Sequence, residues 1–198
     1  MLQMSYMKKK TGILVIVLVV LGVTVNVFAE NALRPALGMS FVISPDYRSV
    51  LKDSYPNRDI SGGFGWLGLQ VGLRYLPMAQ FAITPRIGAM FNFVMFEGDD
   101  EDSFFNSIIQ PALSARYLFQ EGSSLYIEGE VSYNRVSTGS DHFDVDGGVG
   151  YAGLIGYQVD DRLDFGIGYS VISTEVTNRT GVNDKNFGGV EIRFSAVF

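Results

Sequence analysis

The chain has 198 residues, 15 of them basic and 21 acidic, giving a net charge of −6, with 47% hydrophobic residues and no cysteine. The acidic balance argues against nucleic-acid binding, and the absence of cysteine excludes a disulfide scaffold and a lipid anchor on an N-terminal Cys. The length suits one domain.

In chain order, Lys8, Lys9 and Lys10 come first, followed by an apolar run from Ile13 to Val25 and then Val27-Phe28-Ala29. A basic start, a short apolar run and small residues at the peptidase positions predict a cleaved secretory leader over 1–29 and a mature domain over 30–198. A retained membrane helix is the other reading, but the run is short for a span. Loss of the three leader lysines takes the net charge from −6 to −9.

Eight alternating segments follow: Leu33 to Ser44, Gly62 to Tyr75, Phe81 to Phe96, Ser107 to Phe119, Leu125 to Ser137, Val145 to Val159, Arg162 to Val176 and Phe187 to Phe198. Period-two alternation predicts strands, and each segment exceeds the roughly 9–11 residues that a tilted strand needs to cross a bilayer core. The connections alternate in length. Leu76 to Gln80, Gln120 to Ser124 and Asp160-Asp161 are short; Pro45 to Ser61, Glu97 to Asn106, Thr138 to Asp144 and Thr177 to Asn186 are longer and polar. Such asymmetry predicts an all-β, eight-stranded antiparallel up-and-down transmembrane barrel with short periplasmic turns and longer extracellular loops. Ten strands remain open if the first long loop holds a hairpin.

A soluble barrel also alternates, so the composition of the less apolar face decides which side meets solvent. That face is largely Gly, Ala and Ser, and the two lysines after residue 29, Lys52 and Lys185, fall in predicted long loops. In the seventh segment Leu163, Phe165, Ile167, Tyr169 and Val171 form the apolar set, opposite Asp164, Gly166, Gly168 and Ser170. Apolar residues therefore face lipid and small ones face a crowded lumen. Tyr75, Tyr117, Phe119, Tyr151, Tyr157 and Tyr169 lie on the lipid face, several near strand ends where aromatic girdles belong.

The last segment places Val190, Ile192, Phe194, Ala196 and Phe198 on one face and Glu191, Arg193 and Ser195 on the other. Together with the leader and the eight strands, this ending resembles the small eight-stranded bacterial outer-membrane barrel family, which includes the opacity-type surface antigens. The resemblance covers the mature chain. It implies that Gly189, Ile192, Phe194 and Phe198 form the signal read by the barrel-assembly machinery, although Phe187 stands where a polar residue is more usual. It implies an outer-membrane location among lipid and lipopolysaccharide, and says little about activity.

Projection of the strands inward predicts a lumen charge network of Arg34, Arg74, Arg86, Arg116, Glu128, Glu130, Asp164, Glu191 and Arg193 on the periplasmic side. Buried charges persist when paired, so a structural plug is expected, with a partner-exchanging gate as the functional alternative. The run Glu97, Asp99, Asp100, Glu101 and Asp102 is a solvated loop or a weak divalent-cation site. Gly63-Phe-Gly65-Trp-Leu-Gly68 and Gly148-Val-Gly150-Tyr-Ala-Gly153 match a dinucleotide fingerprint by letter, but they sit inside strands rather than at a helix opening. His142, beside Ser140, Asp141 and Asp144, is a loop histidine unless another strand brings it a nucleophile.

No cofactor, catalytic residue or resident metal is expected. The main expectation is a non-enzymatic barrel with a structural or surface-interaction role through its extracellular loops, where Tyr47, Arg48, Tyr55 and Arg58 could meet a partner of unknown identity. The alternative is a narrow, passive, porin-like channel, and a lipid A-modifying enzyme is less expected.

Overall fold

A computed structural model describes residues 33–60, 62–96, 103–119, 124–160, 162–178 and 181–198. The predicted leader and the acidic residues Glu97, Asp99, Asp100, Glu101 and Asp102 lie outside them.

Eight strands and one helix make up the described chain. They are β1 (Leu33–Ile43), α1 (Pro45–Ser54), β2 (Gly65–Met78), β3 (Phe81–Val94), β4 (Phe104–Leu118), β5 in two segments (Leu125–Tyr133 and Arg135–Thr138), β6 (Phe143–Val159), β7 (Leu163–Asn178) and β8 in two segments (Gly181–Asn186 and Gly189–Val197). All strand pairings among the described residues are antiparallel and join sequence neighbours, apart from the second segment of β8, which pairs with both β7 and β1. Its register with β1 runs from Ala36↔Val197 to Ile43↔Val190, so the sheet closes on itself. Closure removes the exposed edge that a terminal strand would otherwise present.

Alternation sorts the two faces as the sequence predicts. Along β1, Leu37 and Met39 are each 51% exposed, whereas Ser40 and Val42 are buried. Leu69, Val131, Tyr151, Ile155, Leu163 and Phe194 continue the exposed apolar set on other strands. An apolar belt over so many strands is far larger than a water-facing patch and fits hydrocarbon. Tyr117, Phe119, Tyr151, Tyr157 and Tyr169 are exposed within it.

Both strand interruptions keep register and are bridged by asparagine. Asn134 splits β5, is fully buried, and donates from Nδ2 to the Gly148 carbonyl at 3.1 Å. Opposite it, β6 carries a bulge between Gly147 and Gly150 in its pairing with β7. The extra residue switches the parity of β6: Phe143 and Val145 point inward before it, Ala152 and Leu154 after it. In β8, Asn186 Oδ1 accepts the Ile172 and Gly188 amides at 2.9 Å each, replacing ladder bonds where the chain turns Phe187 inward.

Three expectations need correction. Pro45 to Ser61 is not an irregular loop or a hairpin, because Pro45–Ser54 is helical, with Pro in its first turn and Tyr47, Val50 and Leu51 buried at i, i+3 and i+4. Thr177 to Asn186 is not a long loop: β7 extends to Asn178 and pairs with Gly181–Asn186, forming a protruding hairpin. Gly62–Phe64 precede β2, which instead continues to Met78.

Candidate functional site

The candidate site is the lumen, which is filled in three layers. Nearest the short turns lies the charge layer, because Arg74, Arg86, Arg116, Glu128, Glu130, Asp164, Glu191 and Arg193 occupy inward positions on β2, β3, β4, β5, β7 and β8. The pairs alternate in sign. Arg74 Nη2 meets Asp164 Oδ2 at 2.5 Å, and Arg116 Nη1 meets the same oxygen at 2.8 Å. Arg116 also donates from Nε and Nη2 to Glu128 Oε2, at 3.0 and 2.8 Å. Arg193 reaches Glu128 at 2.9 Å and Glu130 at 3.0 Å, while its Nε and Nη2 hold Glu191. Arg86 closes the set on Glu130 and, at 3.3 Å, on Glu128.

Four guanidinium groups thus meet four carboxylates, with no net charge left in the cluster. The Arg116 guanidinium also lies 3.8 Å from the ring centroid of Tyr126, whose hydroxyl donates to the Phe165 carbonyl at 3.2 Å. Planar forks suit this layer because each arginine serves several oxygens at once. Arg34, expected here, is only half-buried at the start of β1 and makes none of these pairs. Beside the cluster the lumen narrows to a cavity of about 20 Å³, lined in part by Gln70, Arg74, Arg116 and Glu128, which has room for a single water.

Above the charges lies an amide and hydroxyl layer. Gln110 Nε2 donates to Ser132 Oγ at 3.1 Å and to Asn134 Oδ1 at 3.0 Å, and Gln70 Nε2 reaches Ser40 Oγ at 3.4 Å. These groups are buried and mutually bonded, as buried polar groups must be.

Toward the long loops the lumen turns apolar, contrary to the expectation of small lumen residues throughout. Trp66, Met90, Ile108 and Ile172 point inward from the strands and meet Tyr47, Val50 and Leu51 of α1. The helix therefore stoppers the barrel mouth. Tyr47 stands between Trp66 and Phe187, with ring centroids 5.0 and 4.8 Å away, and its hydroxyl accepts Asn106 Nδ2 at 2.6 Å. Burial, with Tyr55 adding to it, pushes the Tyr47 phenol above its ordinary value against the opposing Asn106 bond, so it stays protonated.

A second aromatic group seals the rim. Tyr55 packs on Phe96, Phe104 and the His142 ring, and its hydroxyl shares a 2.8 Å hydrogen bond with Ser140 Oγ. Ser140 Oγ also accepts the His142 backbone amide, whereas the imidazole packs tilted against the Tyr55 ring, with centroids 4.6 Å apart. Ser140 and His142 are thus not arranged as nucleophile and base. Of the predicted assembly residues, Phe194 is exposed on the lipid face and packs on Phe165, Phe198 is exposed, Ile192 pairs with Phe41 across the β1–β8 seam, and Gly189 pairs with Ser170 of β7. The glycine-rich stretches lie at and within β2 and within β6, so neither opens a helix.

No protein-family model and no curated protein matches the sequence. Among solved structures, the chain is similar to the outer membrane protein OprG from Pseudomonas aeruginosa, at 13% identity and a TM-score of 0.50, over 84% of this chain and 95% of that one. The fold is that of an outer-membrane β-barrel. An outer membrane channel from Pseudomonas putida F1 also matches, at 11% identity over 86% of this chain and 97% of that one, but its TM-score of 0.34 supports no argument.

Proposed function

We propose that the protein resides in the outer membrane, long loops outward, and acts as a narrow gated channel whose closed state is the one described. The lipid-facing belt and the OprG-like fold support the location. One observation carries the gating: the lumen is shut twice in series, and the outer closure is a separate helix inserted into the mouth rather than the barrel wall itself. A helix joined only by its ends can withdraw without breaking the barrel ladder. The charge layer beneath, neutral as a whole, has alternative partners within reach because Glu128 and Arg193 each touch several opposite charges. A barrel serving only as an anchor needs a filled lumen but no separable outer plug, and that static role is the second reading.

Liposome swelling tests the proposal. Vesicles holding the wild-type protein should swell slowly in small neutral solutes. Replacement of residues 45–61 by a short glycine-serine link, combined with Glu128→Ala and Arg193→Ala to loosen the inner closure, should speed swelling for the smallest solutes first. Equal rates for both, with the variant shown to be folded, would favour the static anchor.

A further inference from the structure

The slot holding Tyr47 has features that a merely space-filling core does not require. Trp66 and Phe187 form its aromatic walls, Asn106 supplies a hydrogen bond at its far end, and the occupant is a phenol that is itself 1% exposed. Around it, four buried polar atoms have no hydrogen-bond partner: Trp66 Nε1, Ser44 Oγ, Asn92 Oδ1 and Asn106 Oδ1. The register Leu67↔Phe91 and Asn92↔Asn106 sets Trp66, Asn92 and Asn106 side by side on adjacent strands, all inward. Ser44 stands at the N-cap of α1, yet its hydroxyl makes no capping bond. Buried polar atoms left unpaired are costly and rare in cores selected for stability alone. Here they leave donor and acceptor capacity beside an aromatic slot, under a helix that lacks the usual side-chain cap.

We propose that this slot is a binding site for small aromatic molecules bearing a hydroxyl, and that Tyr47 occupies it as an internal stand-in while the barrel is closed. The proposal deepens the channel reading by naming a solute class for its outer vestibule. A phenol entering the slot takes the place of the Tyr47 ring between Trp66 and Phe187, accepts from Asn106, and has Trp66 Nε1 and Ser44 Oγ as further partners. The ligand binds only when α1 has withdrawn, so its apparent affinity is the intrinsic one multiplied by the fraction of open protein.

Trp66 is the sole tryptophan of the chain, so its emission reports on the slot directly. The test titrates p-cresol, the side-chain analogue of tyrosine, and toluene, which lacks the hydroxyl, into the full-length protein folded in detergent, with excitation at the red edge where phenols do not absorb. The wild type should show a saturable change with p-cresol. Tyr47→Ala, which removes the internal competitor, should bind it at least about tenfold more tightly. Toluene should bind the same variant about tenfold more weakly than p-cresol, and Asn106→Leu should erase that difference.

Heat-shifted gel mobility shows that each variant is folded. A response in Tyr47→Ala with none in the wild type would overturn the proposal, because the slot would then be only a cavity made by the substitution. Equal affinity for p-cresol and toluene would also overturn it. Binding without any swelling response in the variant freed of both closures would leave this site standing and remove the channel reading instead.

Discussion

Glu128→Ala lowers the stability of the detergent-folded barrel by about 3–5 kcal/mol, because it strips one carboxylate from a buried cluster and leaves its partners uncompensated. Glu128 is the most shared anion in the lumen, touching Arg86, Arg116 and Arg193. Without it, four arginines face three acids in a space with room for about one water. Denaturant unfolding followed by Trp66 emission measures the loss. Arg193→Ala should be destabilising for the mirror-image reason. The double substitution should cost less than the two single effects added together, since it restores neutrality. Unchanged midpoints for both single variants would remove the network from the account.

Gly147→Val should abolish the folded barrel. A Cβ at Gly147 would run into the Asn134 carbonyl, at the place where β6 bulges and β5 is interrupted. The neighbours are backbone atoms of Asn134 and Val136, so a side chain has nowhere to turn, and relief would require parting β5 from the bulge that switches β6 parity. Slipping that parity by one residue would expose Phe143 and Val145 or bury Tyr151. Gly153→Val in the same strand is the control, because a Cβ there meets nothing within 4 Å. Refolding from urea and comparing heated with unheated gel mobility should show a folded band for Gly153→Val and none for Gly147→Val.

The strands were legible because alternation at Leu163–Val171 and Val190–Ala196 is strict, and a period of two leaves little choice once one face must meet lipid. The charge layer was legible for a related reason. Arginines and acids on inward parity in a barrel this narrow have only one another to meet. Arg34 departs from this because it stands at the very start of β1, before Ala36, the first β1 residue in register with β8.

Two features were hidden. In α1 only Tyr47, Val50 and Leu51 are buried, and three apolar residues in nearly three turns make a weak periodic signal. The better clue was Ser44-Pro45-Asp46, a helix-opening sequence before an i, i+3, i+4 triplet. The apolar mouth was hidden by attention to alternation alone. Trp66-Leu67, Met90-Phe91 and Ile108-Ile109 are apolar on both parities, the pattern of strands buried on both faces. It foretold that something apolar would lie inside that end of the barrel.

The account depends most on a lumen shut at two levels. Planar-bilayer current is the direct test, comparing the wild type with a folded variant that lacks residues 45–61 and carries Glu128→Ala with Arg193→Ala. The wild type should be silent apart from brief, small openings, and the variant should carry a steady small current. A steady current through the wild type, or silence in the folded variant, would contradict it.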